Sequence, residues 1–147
     1  MALSRALDRL PLKMRWTRMS SYVIDAYAWI EYLMGSEPGA KVNSVLENET
    51  SEVYTCAIAV AEVVSKVARE GQDAKIAYDI LLSNSQVINV DEELSKTAGL
   101  LHAEMRKKEK DFGLADAYVL ATAKKLKSKV LTGDLHFKNV KEAILIK

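Results

Sequence analysis

Four acids in this chain stand where a parallel sheet would bring their side chains together. Asp25 directly follows the apolar run Tyr22-Val23-Ile24, and Asp134 comes just after Lys129-Val130-Leu131-Thr132. Glu62 and Asp116 fall in the first turns of helical stretches. In a parallel layout a strand finishes, and the helix feeding the next strand starts, on the carboxyl edge of the sheet, where open α/β sheets bind ligands. The separation of 18 positions from Asp116 to Asp134 therefore does not keep them apart. Carboxylates gathered in this way repel one another unless protons or cations neutralise them. Ligand sets made only of oxygen select hard ions, here Mg²⁺ or Mn²⁺. With one cysteine and two histidines in the chain, no zinc set is expected. Such ions generate hydroxide from water and stabilise the charge that builds on a phosphodiester during in-line displacement. A phosphodiester is the expected substrate.

Each acid also has a plainer structural role open to it. Asp25 suits the N-cap of the helix that follows it. Glu62 precedes Lys66 by four residues, an order that favours a surface ion pair. Asp91, with Glu92 and Glu93 behind it, reads as a helix cap with acids complementing the dipole. His136, beside Phe137, reads better as a loop or partly buried structural histidine than as a general base, and His102 in mid-helix has less claim. Tyr27, Trp29 and Tyr32 fit core or dimer contact better than base stacking. The basic run Arg106-Lys107-Lys108-Glu109-Lys110 is expected beside Asp116, where Arg106, Lys107, Lys108 and Lys110 could hold phosphates. Lys124, Lys125 and Lys127 suit the negative end of a helix dipole and are read as structural.

The elements that must position these groups follow from periodicity. Strands are predicted at 22–25, 52–55, 86–90, 129–132 and 143–146, and helices at 26–34, 40–49, 58–70, 73–83, 91–108 and from Gly113 onward. The loop 35–39, with two glycines and a proline, is expected to stop the first helix. Two crossovers read as helix pairs. The alternation implies one three-layer α/β/α domain whose five-stranded parallel sheet is covered by helices.

At 147 residues, 49% apolar and 28% charged, the chain suits a single soluble domain. A formal charge of +1 gives no global sign of a nucleic-acid or membrane partner. The charge is uneven: residues 1–18 carry five bases against Asp8, and the remainder is mildly acidic. That stretch reads as an extension outside the domain of residues 19–147, from a start at Met14 or Met19 or as a basic arm for nucleic acid. Cys56, among apolar neighbours, is expected to be a buried thiol in a reducing compartment. No stretch is long and apolar enough to span a membrane, and the expected location is the cytoplasm.

The segments YVIDAYAWIEYL, AEVVSK, GLADAYVLATAKKL and VLTGDLHF, in this order and spacing, resemble the PIN-domain family, in particular its small VapC-like toxin ribonucleases. The similarity runs from about residue 21 to the end. It implies Mg²⁺- or Mn²⁺-dependent cleavage of single-stranded RNA, frequent homodimerisation, and inhibition by a small antitoxin. By motif position it gives metal-ligand roles to Asp25, Glu62, Asp116 and Asp134, with Thr132 supporting the last. Many members have Thr-Asn or Ser-Asn after the first acid, where this chain has Ala26-Tyr27. Relatives also serve in RNA maturation and quality control. The alternatives from other classes are a phosphoacceptor receiver domain using Asp91 and Thr132, and a module that binds RNA without chemistry.

Overall fold

The computed structural model describes residues 20–147. The basic stretch 1–18 and the readings of Met14 and Met19 lie outside the described residues. Strand β1 (Ser20–Ile24) is followed by helices α1 (Ala26–Leu33) and α2 (Glu37–Glu47), and β2 (Ser51–Cys56) by α3 (Ala57–Arg69) and α4 (Ala74–Asn84). Then come β3 (Gln86–Ile88), α5 (Glu92–Met105), α6 (Leu114–Leu126), β4 (Lys129–Thr132), a single 3₁₀ turn over Leu135–Phe137, and β5 (Ala143–Leu145). Three crossovers, rather than the expected two, are helix pairs.

All five strands run parallel, in the order β3-β2-β1-β4-β5. From β1 the chain winds outward to β3, then α5 and α6 carry it back over the other face to β4. The direction of winding thus reverses between β1 and β4, which opens a crevice beyond their carboxyl ends. A receiver-type sheet has the order 2-1-3-4-5, with its third strand central. Here β3 is an edge strand, and Asp91 caps α5 by accepting the Leu94 N–H at 2.8 Å.

Side chains alternate along the strands and feed two apolar layers. Val23 and Val130 face Leu94, Phe112, Leu120 and Phe137 on the α5 and α6 side. Ile24 and Leu131 face Trp29, Val42, Val63 and Leu81 on the side of α1 to α4. Trp29 is fully buried, and its indole N–H donates to Thr55 Oγ1 at 3.1 Å, satisfying the one polar atom a buried tryptophan carries. Cys56 is buried as expected.

Helix α2 starts three residues earlier than the sequence suggests. Ser36 caps it by accepting the Gly39 N–H at 3.1 Å, and Pro38 sits in the first turn, where its missing N–H costs nothing. Gly39, read as part of the loop, is instead a buried helical residue at the crossing with α1. A Cβ there would collide with the Glu31 carbonyl and lie 2.9 Å from Tyr32 Cα. Among the described residues no helix is long and apolar enough to cross a membrane.

Since both obstructing groups at Gly39 are backbone, Gly39→Ala must push α1 and α2 apart. A loss of about 2 kcal/mol of stability is expected, the usual cost of overpacking. Urea melts of the two proteins check this, and an unchanged midpoint would contradict the packing.

Candidate active site

The crevice between β1 and β4 becomes a cleft of about 770 Å³ whose lining includes Asp25, Glu62, Asp116 and Asp134. Each acid arrives on a different element. Asp25 closes β1, where its N–H donates to the Leu131 carbonyl at 3.1 Å and continues the pairing with β4. Its side chain then caps α1, Oδ1 accepting the Ala28 N–H at 2.9 Å, while Oδ2 accepts the Thr132 hydroxyl. Glu62 projects from the second turn of α3, and α3 contacts α6 beside the cleft. The ion pair of Lys66 is with Glu70, at 3.1 Å, which leaves Glu62 out of the surface pair open to it.

Asp116 is the third residue of α6, and its Oδ2 accepts the N–H of the capping residue Gly113 at 2.9 Å. Asp134 caps the 3₁₀ turn, with Oδ1 accepting the His136 N–H at 2.9 Å, and its own N–H donates to Thr132 Oγ1 at 2.9 Å. Thr132 therefore ties two acids together: it donates to Asp25 and accepts from Asp134. Motif position links it to Asp134 alone. The two loops bearing Asp116 and Asp134 are fastened by Phe112 and Phe137, both buried, whose rings meet edge to face at 5.4 Å.

Electrostatics agree with crowding. Burial pushes the Asp25 carboxyl up to about 7, against the lowering effect of its bonds from Thr132 and Ala28, and Asp116 and Asp134 push the same way. Burial also raises Glu62, again with Asp116 and Asp134 adding to it. Asp116 is raised by burial in the first place and by Asp134, opposed by Gly113 and His136.

His136 is partly buried, as expected, but it stands at the acids themselves: its Nδ1 is 3.2 Å from Asp134 Oδ1 and 3.5 Å from Asp116 Oδ2. Both are ion-pair distances that count only when the imidazole is protonated, and Nδ1 is a buried atom that forms no hydrogen bond with either oxygen. The available signal is the two-residue spacing: an aspartate that caps its own second neighbour curls that residue back over it, and burial of Phe137 fixes which way the turn faces. Ligand atoms of Asp116, Asp134 and His136 all lie within 4.8 Å of one another, while Asp25 and Glu62 line the same cleft outside that tight group. Raised carboxyls together with a buried, unpartnered nitrogen form a donor set that a divalent cation fits.

Tyr27 occupies the cleft wall beside Asp25. Its ring lies over Gly133, so close that a Cβ on Gly133 would overlap it, and Lys147 Nζ sits 4.7 Å from the ring centroid. Of the basic run, Lys108 lines a second cleft of about 390 Å³ that includes His136 but none of the four acids. Lys107 is engaged by Glu104 at 3.1 Å.

A family model described as the PIN domain matches residues 22–143, most of the chain and every acid named above. The chain belongs to the PIN domain family. Its PIN fold is similar to that of a toxin–antitoxin complex from Klebsiella pneumoniae, at 20% identity and a TM-score of 0.67 over 86% of this chain and 98% of the other. Another neighbour is Mycobacterium tuberculosis VapC20, titled a sarcin–ricin loop cleaving toxin, at 18% identity and a TM-score of 0.67 over 82% and 95% of the two chains. VapBC2 from Rickettsia felis, bound to a DNA fragment from its promoter, matches at 18% identity with a TM-score of 0.65 over 85% and 96%. Among curated proteins nothing matches the chain.

The buried Asp25 gives a pH-dependent stability. A carboxyl at about 7 when folded and near 3.8 when unfolded favours the fold fully below pH 4, and that contribution is lost as pH rises toward 7. In chelator, Asp25→Asn, which cannot ionise, should match the parent at pH 4 and exceed it progressively up to pH 7. The shift corresponds to roughly 4 kcal/mol at most, and added Mg²⁺ should close the gap. Thermal melts across this range decide it; parallel curves for the two proteins would contradict the assignment.

Proposed function

We propose that this PIN domain, residues 19–147, is a divalent-metal-dependent endoribonuclease that hydrolyses phosphodiester bonds of single-stranded RNA, and that it is the toxin of a cytoplasmic toxin–antitoxin pair. The observation that carries the reading is the convergence of Asp25, Glu62, Asp116 and Asp134 on one cleft at the β1/β4 reversal. Three of these acids are raised by burial and by mutual repulsion, which a structural role would not require. Membership of the PIN family and the toxin–antitoxin neighbours support the same conclusion. They also favour a small antitoxin as partner, with homodimerisation as the accompanying proposal.

In this reading Asp25, Glu62, Asp116 and Asp134 hold Mg²⁺ or Mn²⁺. When bound, the ion supplies charge neutralisation for the phosphodiester and a water acidic enough to furnish hydroxide near neutral pH. The chain's own groups keep the ligands in place. Thr132 orients Asp25 and fixes the backbone of Asp134, Gly113 holds Asp116, and the backbone N–H of His136 holds Asp134. Anchored carboxylates of this kind are preorganised, so little rearrangement is needed when charge develops. On the adjoining surface Arg106, Lys107, Lys108 and Lys110 offer positive charge to the phosphates of a strand entering the cleft.

Asp116→Asn should abolish Mn²⁺-dependent cleavage of single-stranded RNA and any growth arrest on expression, with the circular-dichroism spectrum unchanged. Retained cleavage by a folded variant would remove the assigned site. For the basic run, Lys107→Ala combined with Lys108→Ala should weaken RNA binding at low salt and reduce its logarithmic salt slope by roughly 0.7 for every phosphate no longer neutralised. Metal affinity should not change. Fluorescence anisotropy with a labelled RNA measures this, and unaltered binding would take the run out of the RNA path.

A further inference from the structure

We propose that His136 is itself a ligand, binding through Nδ1 the ion held by Asp116 and Asp134, so that the centre is a mixed nitrogen and oxygen site that prefers Mn²⁺ over Mg²⁺. The inference rests on the divalent-metal reading above and goes beyond it in donor set and metal preference.

Nδ1 of His136 is buried, yet it makes no hydrogen bond among the described residues. A buried polar nitrogen left unpaired costs free energy comparable to a lost hydrogen bond. Two carboxylate oxygens stand near it, at 3.2 and 3.5 Å, and neither forms a hydrogen bond with it. A nitrogen left without a hydrogen bond beside two carboxylates is placed for something the three donors share. Their mutual spacing, within 4.8 Å, allows one ion to reach all three.

The rest of the ring's environment suits ligation. Metal-bound imidazole usually donates its second N–H to a carboxylate, which fixes the tautomer. Glu109 and Asp111 form a second group with His136, their ligand atoms also within 4.8 Å of a ring nitrogen, so a carboxylate is at hand for that bond. The backbone holds the ring in place. Asp134 caps the turn through the His136 N–H, and the neighbouring Phe137 is buried against Phe112. Selectivity within this pair follows from the ligand type: Mg²⁺ keeps oxygen and water ligands, whereas Mn²⁺, though it stands at the weak end of the first-row series and also favours oxygen, accepts an imidazole nitrogen beside carboxylates more readily than Mg²⁺ does.

The test uses the untagged full chain with Mn²⁺ alone and pulsed electron paramagnetic resonance, which detects ¹⁴N bound directly to Mn²⁺. The parent should show imidazole ¹⁴N modulation. His136→Gln should lose it, while His102→Gln, which removes the chain's other histidine, should keep it. By calorimetry His136→Gln should bind Mn²⁺ about tenfold more weakly and Mg²⁺ within about twofold of the parent, narrowing the preference between them. Mn²⁺ bound by the parent without ¹⁴N modulation, or modulation that persists in His136→Gln, overturns His136 ligation and leaves the acid site standing. Failure of the parent to bind Mn²⁺ at all overturns both. If His136→Gln does not fold, His102→Gln decides, since His136 is then the chain's one histidine: ¹⁴N modulation there supports ligation and its absence overturns it.

Discussion

A carboxylate almost out of reach of water, held by a hydroxyl from the adjoining strand, is the contact on which this edge of the molecule depends. Asp25 is 5% exposed, and Thr132 of β4 reaches across to it at the point where the winding of the sheet reverses. Burial of a charge is expensive, and here two directional bonds offset only part of the cost, since the carboxyl still rises to about 7. Nothing in the packing alone asks for an acid there. The same threonine receives the N–H of Asp134, so one hydroxyl registers the ends of two strands and aligns two acids. Were β1 and β4 not neighbours, the bond from Thr132 to Asp25 could not form.

Repulsion among the acids is contained by apolar packing just behind them. Phe112 precedes the cap of α6 and Phe137 ends the 3₁₀ turn, and their contact brings together loops that the chain separates by a helix and a strand. Val23, Leu120 and Val130 on that side belong to one buried apolar cluster, and protein interiors are close-packed, so the loops have little freedom to spread when their carboxylates ionise. Stability and function pull in opposite directions at this spot. The fold meets the conflict with rigid anchors beneath a cluster that a cation would relax.

Much of this is open to inspection from residue order. Trp29 and Cys56 read as core and are core, and β4 runs over the residues its apolar pattern marks. Asp73 and Asp91 cap helices as their types suggest. The start of α2 escapes such a reading because Pro38 and Gly39 speak for a loop in local terms. Gly39 is there for another reason, the close crossing with α1, and a contact between helices has no local signature. His136 escapes it on similar grounds: its spacing from Asp134 is visible, but the direction of its ring is set by what Phe137 packs against.

Residue order alone specifies the periodicities, the caps, the parallel class and the presence of acids after strands and at helix starts, since these depend on near neighbours along the chain and on the fixed geometry of helices and strands. It thereby carries the PIN resemblance that the family match bears out. It takes the folded chain to establish that β1 lies beside β4, that Thr132 serves Asp25 as well as Asp134, and that His136 leaves an unpaired nitrogen beside two carboxylates. Strand order and packing govern those facts, joining residues as far apart in the chain as Asp25 and Thr132. Burial of apolar surface, which acts without regard to sequence separation, is what sets them.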